Sequence, residues 1–197
     1  MPPWLPALLA LALGAGDPEG NFIVPGTRGA IVYRRVDGQE LRLDAYLQRR
    51  GTHRPAVVVI HGGNWTSGSR IAFVGQLLET LTRAGYNWLS VDYRLGGPDR
   101  RADALDDAGR ALIRRYSPIH HVTKEMPPLL LIHGTKEGLW AQGVAMRDRL
   151  RDVGARHELV ALEGAPHGME NWEGHPEWAG YKTRLVEWLS RQLGARP

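Results

Sequence analysis

The feature that most constrains the fold is a pair of short apolar runs that stop at a glycine. Residues 56–63 read AVVVIHGG and residues 127–134 read PPLLLIHG. Each run is too short for a helix and is dominated by Val, Leu and Ile, which makes it a strand. Continuous apolarity, rather than alternation, predicts burial on both faces, as in a parallel sheet. Parallel neighbours cannot be joined by a tight turn, so helical crossovers must lie between such strands.

The rest of the chain supplies them. Residues 71–84, IAFVGQLLETLTRA, have helical spacing and are stopped by Gly85. Residues 86–94, YNWLSVDYR, read as a strand, and residues 99–116 as a helix with Asp99 as a candidate cap. A helix over 139–153 closed by Gly154, a strand over 156–164 and a helix over 176–194 follow. Ahead of these, residues 29–36 and 40–48 flank Asp37-Gly38, a hairpin signal. Alternation there places Leu41, Leu43, Ala45 and Leu47 on one face. The expectation is an α/β fold: a shortened doubly wound sheet of about six strands, mostly parallel, behind an N-terminal antiparallel hairpin and flanked by helices. In it the HGG strand pairs directly with PPLLLIHG, and the 99–116 helix makes the right-handed crossover.

Composition narrows the function classes. With 197 residues, 43% hydrophobic and 23% charged, the chain has the balance of one globular domain with a sizeable core. The net charge of +4 comes from scattered arginine pairs such as Arg34-Arg35 and Arg100-Arg101. No run of basic residues or reader motif points to nucleic acid, and none is expected as a partner. The chain has no cysteine, which excludes disulfides, thiolate metal sites and a cysteine nucleophile. Residues 4–16 are apolar or small, too short a run for a stable membrane span. They fit a secretory h-region, although no Lys or Arg precedes them. Residues 1–20 are therefore a signal peptide or a disordered N-terminal segment. Export to the periplasm or medium is expected if they are a signal, and a cytoplasmic location if they are not. Residues 21–197 form the single domain.

In open α/β sheets ligands bind beyond the carboxyl ends of the strands. Three polar motifs stand at such ends: His61-Gly62-Gly63, His133-Gly134-Thr135-Lys136-Glu137 and Gly164-Ala165-Pro166-His167-Gly168. Gly62, Gly63 and Asn64 can present successive N–H groups, the arrangement that stabilises an oxyanion. The same residues also suit an ordinary glycine-rich strand-to-helix turn. His167, framed by Pro and Gly, suits a general base. Glu137, on the loop after the preceding strand, could orient it; alone, Glu137 would read as a solvated loop carboxylate. A metal site from His61, His120, His121 or His167 lacks any H-x-x-x-H or H-E-x-x-H spacing, and no metal or other cofactor is expected. Asp92, Asp106 and Asp107 read as structural. Trp65, Trp140, Trp172 and Trp178 lie near the motif loops and read as packing residues, with sugar stacking as the other use.

The order of these motifs carries a resemblance. VVVIHGGNW, LSVDYRLGG, YSPIHHV, PPLLLIHGTKE and EGAPHGMENW, spread over about residues 29–194, resemble the carboxylesterase and carbohydrate acetyl or feruloyl esterase branch of the α/β-hydrolases, which includes the HGGG-containing esterases. The resemblance implies Gly62, Gly63 and Asn64 as oxyanion loop, Glu137 as triad acid and His167 as triad base. It implies a small-molecule or carbohydrate ester as substrate. Asn64 replaces a third glycine and Glu137 replaces the usual Asp. The larger departure is the nucleophile. The family carries it in G-x-S-x-G, and none of Ser67, Ser69, Ser90, Ser117 and Ser190 has that setting. Leu112 runs almost directly into the RYSPIHHV segment, so an internal deletion near 112–116 removes the elbow. The chain is then some 60–90 residues shorter than a hydrolase of ~250. Ser67 and Ser69, beside the oxyanion loop, are the candidate substitute nucleophiles. Two functions follow: a carboxylic-ester hydrolase with a replaced nucleophile, or a catalytically inactive remnant, a ligand-binding pseudo-esterase. With fewer helices on the sheet, apolar surface is left that a homodimer could cover.

Overall fold

The computed structural model describes residues 24–48, 54–64, 66–95 and 117–193. They fall into two compact units, divided between Gly96 and Gly97. The signal-like residues 1–20, Trp65, the expected helix over 99–116 with Asp106 and Asp107, and the 112–116 junction lie outside the described residues.

In the first unit, β1 (Arg28–Val36) and β2 (Gln39–Tyr46) form the expected antiparallel hairpin, paired from Arg28↔Ala45 to Val36↔Gln39. Asp37 and Gly38 both have positive φ (52° and 79°), which a type I′ turn requires. β2 pairs antiparallel with β4 (Asn87–Val91), and β4 pairs parallel with β3 (Ala56–Ile60), giving the order β1-β2-β4-β3. Helix α1 (Gly75–Arg83) crosses from β3 to β4. It buries Leu78 and Leu81, each worth about 2 kcal/mol on removal from water. Gly85 and Tyr86 close it by donating back to Thr82 and Leu81 (3.0 Å each). Leu41, Leu43 and Ala45 of β2 are buried as expected, whereas Leu47, past the strand's end, is exposed.

Three expectations about this unit need correction. The helix begins at Gly75 rather than residue 71. The chain from Ser69 to Phe73 is turned, with Ala72 N–H on the Ser69 carbonyl and Phe73 at φ 63°, a conformation no helix accepts. β3 is not buried on both faces: Val59 is buried, but Val58 and Ile60 are 59% and 68% exposed. It is the last strand in the order of the described sheet. Within this unit one described ladder is parallel and two are antiparallel, where mostly parallel pairing was expected.

The turned segment is held by a buried ion cluster. Arg70 Nε donates to Asp44 Oδ1 (2.8 Å) and Nη1 to Asp92 Oδ2 (3.1 Å), while its backbone N–H donates to Asp92 Oδ1 (2.8 Å). Asp44 Oδ1 also receives the Ala30 N–H, and Ser90 Oγ donates to the Arg70 carbonyl (2.6 Å). Asp92 is thus structural, as expected from the sequence.

The second unit holds β5 (Leu129–Gly134) and β6 (His157–Leu162), parallel and in register from Leu129↔His157 to Gly134↔Leu162. Helix α2 (Trp140–Asp152) is their crossover, and α3 (Gly180–Leu193) follows. Gly154 and Ala155 close α2 by donating to Arg151 and Leu150. One core gathers Val122, Leu150 and Ala155; another gathers Leu162, Ala165, Trp172 and Tyr181. Leu129 to Ile132 of β5 are half-buried rather than fully enclosed. No described helix is long and apolar enough to cross a membrane.

Arg70→Ala strands the Asp44 carboxylate away from water, so urea denaturation should show a loss of about 3–5 kcal/mol. A loss below about 1 kcal/mol would show that the cluster is dispensable.

Candidate functional site

The loops after β5 and β6 are zipped together by backbone bonds. Thr135 N–H donates to the Leu162 carbonyl, Lys136 N–H to the Ala165 carbonyl (3.0 Å each), and Gly164 N–H to Thr135 Oγ1 (2.8 Å). The approach is so close that a Cβ at residue 134 would lie 2.2 Å from the Ala165 carbonyl oxygen, which is why β5 ends in glycine. The loop carrying His167 is fixed from beyond. Asn171 Nδ2 donates to the His167 carbonyl (2.6 Å) and Trp172 Nε1 to the Pro166 carbonyl (2.8 Å).

The zipper brings Glu137 and His167 together. His167 Nδ1–H donates to Glu137 Oε2, and His133 Nδ1–H donates to Glu137 Oε1 at 2.7 Å. A carboxylate only accepts, so both imidazoles present an N–H to Glu137 from Nδ1. The Glu137 side chain is 4% exposed and that of His167 70% exposed. Burial pushes the Glu137 carboxyl up, but the hydrogen bonds from His167 and His133, and their charge, outweigh it and hold the group below the ordinary carboxylate range. The result is a buried anion behind an accessible imidazole, an arrangement able to take a proton and stabilise the imidazolium that forms.

Gly62, Gly63 and Asn64 lie in the first unit, directly after β3. Gly63 (φ 112°) and Asn64 (φ 52°) both adopt positive φ. A Cβ at residue 63 would overlap the Ser67 carbonyl, 2.0 Å away. The Gly63 carbonyl is saturated, receiving the N–H groups of Thr66 and Ser67 (3.0 Å each) and the Ser67 hydroxyl (3.1 Å). Among the described residues, the N–H groups of Gly62, Gly63 and Asn64 meet no acceptor. His61 is buried, stacks on Tyr93 with ring centres 4.3 Å apart, and donates from Nδ1 to the Gly62 carbonyl.

Ser67 and Ser69 lie in this unit too. The Ser67 hydroxyl is committed to the Gly63 carbonyl rather than to a nitrogen base, and the Ser69 carbonyl caps the turn before α1. Trp172 packs edge-on against Tyr181, and Trp178 Nε1 donates to the Glu163 carbonyl. Trp140 stands at the start of α2, tilted against His133. All three have packing or hydrogen-bonding roles. His120 and His121 sit at a short 3-10 turn after Ser117. Among the described residues no three His, Asp or Glu side chains gather as a metal site. His133 and Arg70 escaped the sequence reading. The signal for His133 was its place four residues before Glu137 at the end of a strand; Asp44 and Arg70 carried none that separates a buried pair from surface charges.

Comparison with known proteins agrees with this architecture. Residues 43–113 match the family model of BD-FAE, an α/β-hydrolase-like esterase family. A 69-residue stretch is 42% identical to the non-reducing polyketide synthase adrD of Penicillium roqueforti. That stretch is 33% of this chain and spans only 3% of the synthase. Among solved structures, the apo form of Thermogutta terrifontis esterase 2 superposes with a TM-score of 0.69 at 20% identity, covering 88% of this chain and 97% of the esterase. The same esterase phosphorylated by paraoxon superposes with a TM-score of 0.67 at 22% identity, covering 85% and 94%. The chain therefore shares the fold of these esterase structures, and its residues 43–113 match the BD-FAE model.

The lowered Glu137 pKa fixes a sign for pH dependence. Stability from its ionised form is present above the ordinary value of 4.5 and is lost as pH falls through the lower folded value. Acid denaturation followed by circular dichroism should therefore be less steep below about pH 4.5 in Glu137→Gln than in the wild type.

Proposed function

We propose that the chain is a carboxylic-ester hydrolase of the α/β-hydrolase type, acting on acyl or acetyl esters, carbohydrate esters among them. The observation that carries this reading is the hydrogen-bonded pair of a buried Glu137 and an exposed His167, on loops after successive parallel strands. His167 Nε2 takes the proton of the attacking oxygen and returns it to the departing alkoxide, and Glu137 stabilises the imidazolium between the two steps. The N–H groups of Gly62, Gly63 and Asn64, which meet no acceptor among the described residues, are the oxyanion donors, each typically worth ~3 kcal/mol in the transition state. The attacking oxygen belongs to Ser67, Ser69 or a water. The G-x-S-x-G elbow of the HGGG esterases is missing from the chain, so no serine has the usual activation.

A second reading has its own observation. Because the Ser67 hydroxyl is already donated to Gly63, the substitute nucleophile is not poised for attack. A pseudo-esterase would retain the acid, base and loop and bind an acyl ligand without turning it over.

One set of measurements separates the readings. A relocated serine should be labelled by a fluorophosphonate, and Ser67→Ala or Ser69→Ala should abolish the label. Water attack predicts p-nitrophenyl acetate turnover without labelling, reduced about 10²–10⁴-fold by His167→Ala. Thermal stabilisation by methyl ferulate with neither labelling nor turnover selects the pseudo-esterase; at a hundredfold excess over Kd it amounts to about 2.7 kcal/mol.

A further inference from the structure

Glu137 has two imidazole donors, and the hydrolase reading uses one. We infer that His133 is the positioning residue of the Glu137–His167 pair: it holds one carboxylate oxygen so that the other faces His167. This inference rests on that reading of the pair.

Three observations support it. First, the carboxylate is almost wholly removed from water, so each oxygen needs a donor of its own. His133 Nδ1 supplies Oε1 at 2.7 Å while His167 takes Oε2. A glutamate bonded at one oxygen alone could rotate about its last torsion, which is broad. Two donors on opposite oxygens define the plane of the carboxylate and with it the direction of Oε2.

Second, His133 is itself rigidly placed. It is the penultimate residue of β5, paired with Ala161 of β6. Its backbone is therefore fixed by the ladder, one residue before the glycine at the zipper.

Third, the neighbouring helix is shaped around its ring. Gly143 lies inside α2, where glycine costs roughly 1 kcal/mol relative to alanine. A Cβ there would stand 3.2 Å from three atoms of the His133 imidazole. The missing side chain lets the ring lie against the helix and aim Nδ1 at Glu137. His133 thus acts through Glu137 and is distinct from the base.

The test uses the full chain with 15N-labelled histidine, reading the tautomer of His167 and the solvent exchange of its Nδ1 proton by NMR. Asparagine places Nδ2 where histidine has Nδ1, whereas phenylalanine keeps the ring and loses the donor. His133→Asn should therefore retain the Nδ1–H tautomer of His167. His133→Phe should lose it or speed its exchange about tenfold, the equivalent of one hydrogen bond. A packing role predicts the reverse order, and that result, or equal loss in both variants, overturns the inference. So does a His133→Phe spectrum in which His167 is unchanged. Glu137→Gln separates the two levels of the argument. If it alters His167 while His133→Phe does not, the pair stands and the inference falls. If Glu137→Gln leaves His167 unaltered, the pair itself is refuted. Should either His133 variant fail to fold, Gly143→Ala displaces the ring from the helix side and is expected to speed the same exchange; unchanged exchange there counts against the inference.

Discussion

A carboxylate removed from water must be met by donors on both oxygens, and the second unit is arranged around that requirement at Glu137. The parallel β5–β6 ladder fixes where the two loops leave the sheet. Backbone bonds from Thr135 and Lys136 then hold those loops within reach of each other. Only this zipper lets His167, thirty residues away in sequence, reach the same carboxylate as His133. Without the two imidazoles, burial would favour the neutral acid, which cannot stabilise an imidazolium. With them the acid is held ionised, and the exposed His167 imidazole is the end of the arrangement that meets solvent.

The first unit is organised by charge of a different kind. Arg70 spans Asp44 on β2 and Asp92 just past β4, and Ser90 holds the Arg70 carbonyl. Buried ion pairs contribute little net stability over apolar replacements, but removing one partner is costly. Their consequence here is geometric. The segment after the glycine loop is pinned as a turn, α1 is delayed to Gly75, and Thr66 and Ser67 donate their N–H groups back to the Gly63 carbonyl.

Local rules were readable where the chain makes its own decisions. The Asp37-Gly38 turn, the glycine-closed ends of α1 and α2 and the buried face of β2 all depend on residues a few positions apart. The errors arose where a neighbour decides. Val58 and Ile60 look like core residues, yet they are exposed on the last strand of their described sheet. At the site, Glu137 and His167 were legible from motif order, because the order reflects which strand ends carry loops. His133 was not, because its role depends on a carboxylate turning back toward it and on a glycine in the following helix.

What the sequence by itself determined is the set of elements, their alternation and the residue types at the strand ends, since turn chemistry and periodicity act over a few residues. Tertiary structure alone decided that the Glu137 carboxylate is buried, that His133 meets it beside His167 and that the Ser67 hydroxyl is tied up. Those outcomes depend on desolvation and on donors brought from distant segments, and neither is a property of any local stretch of sequence.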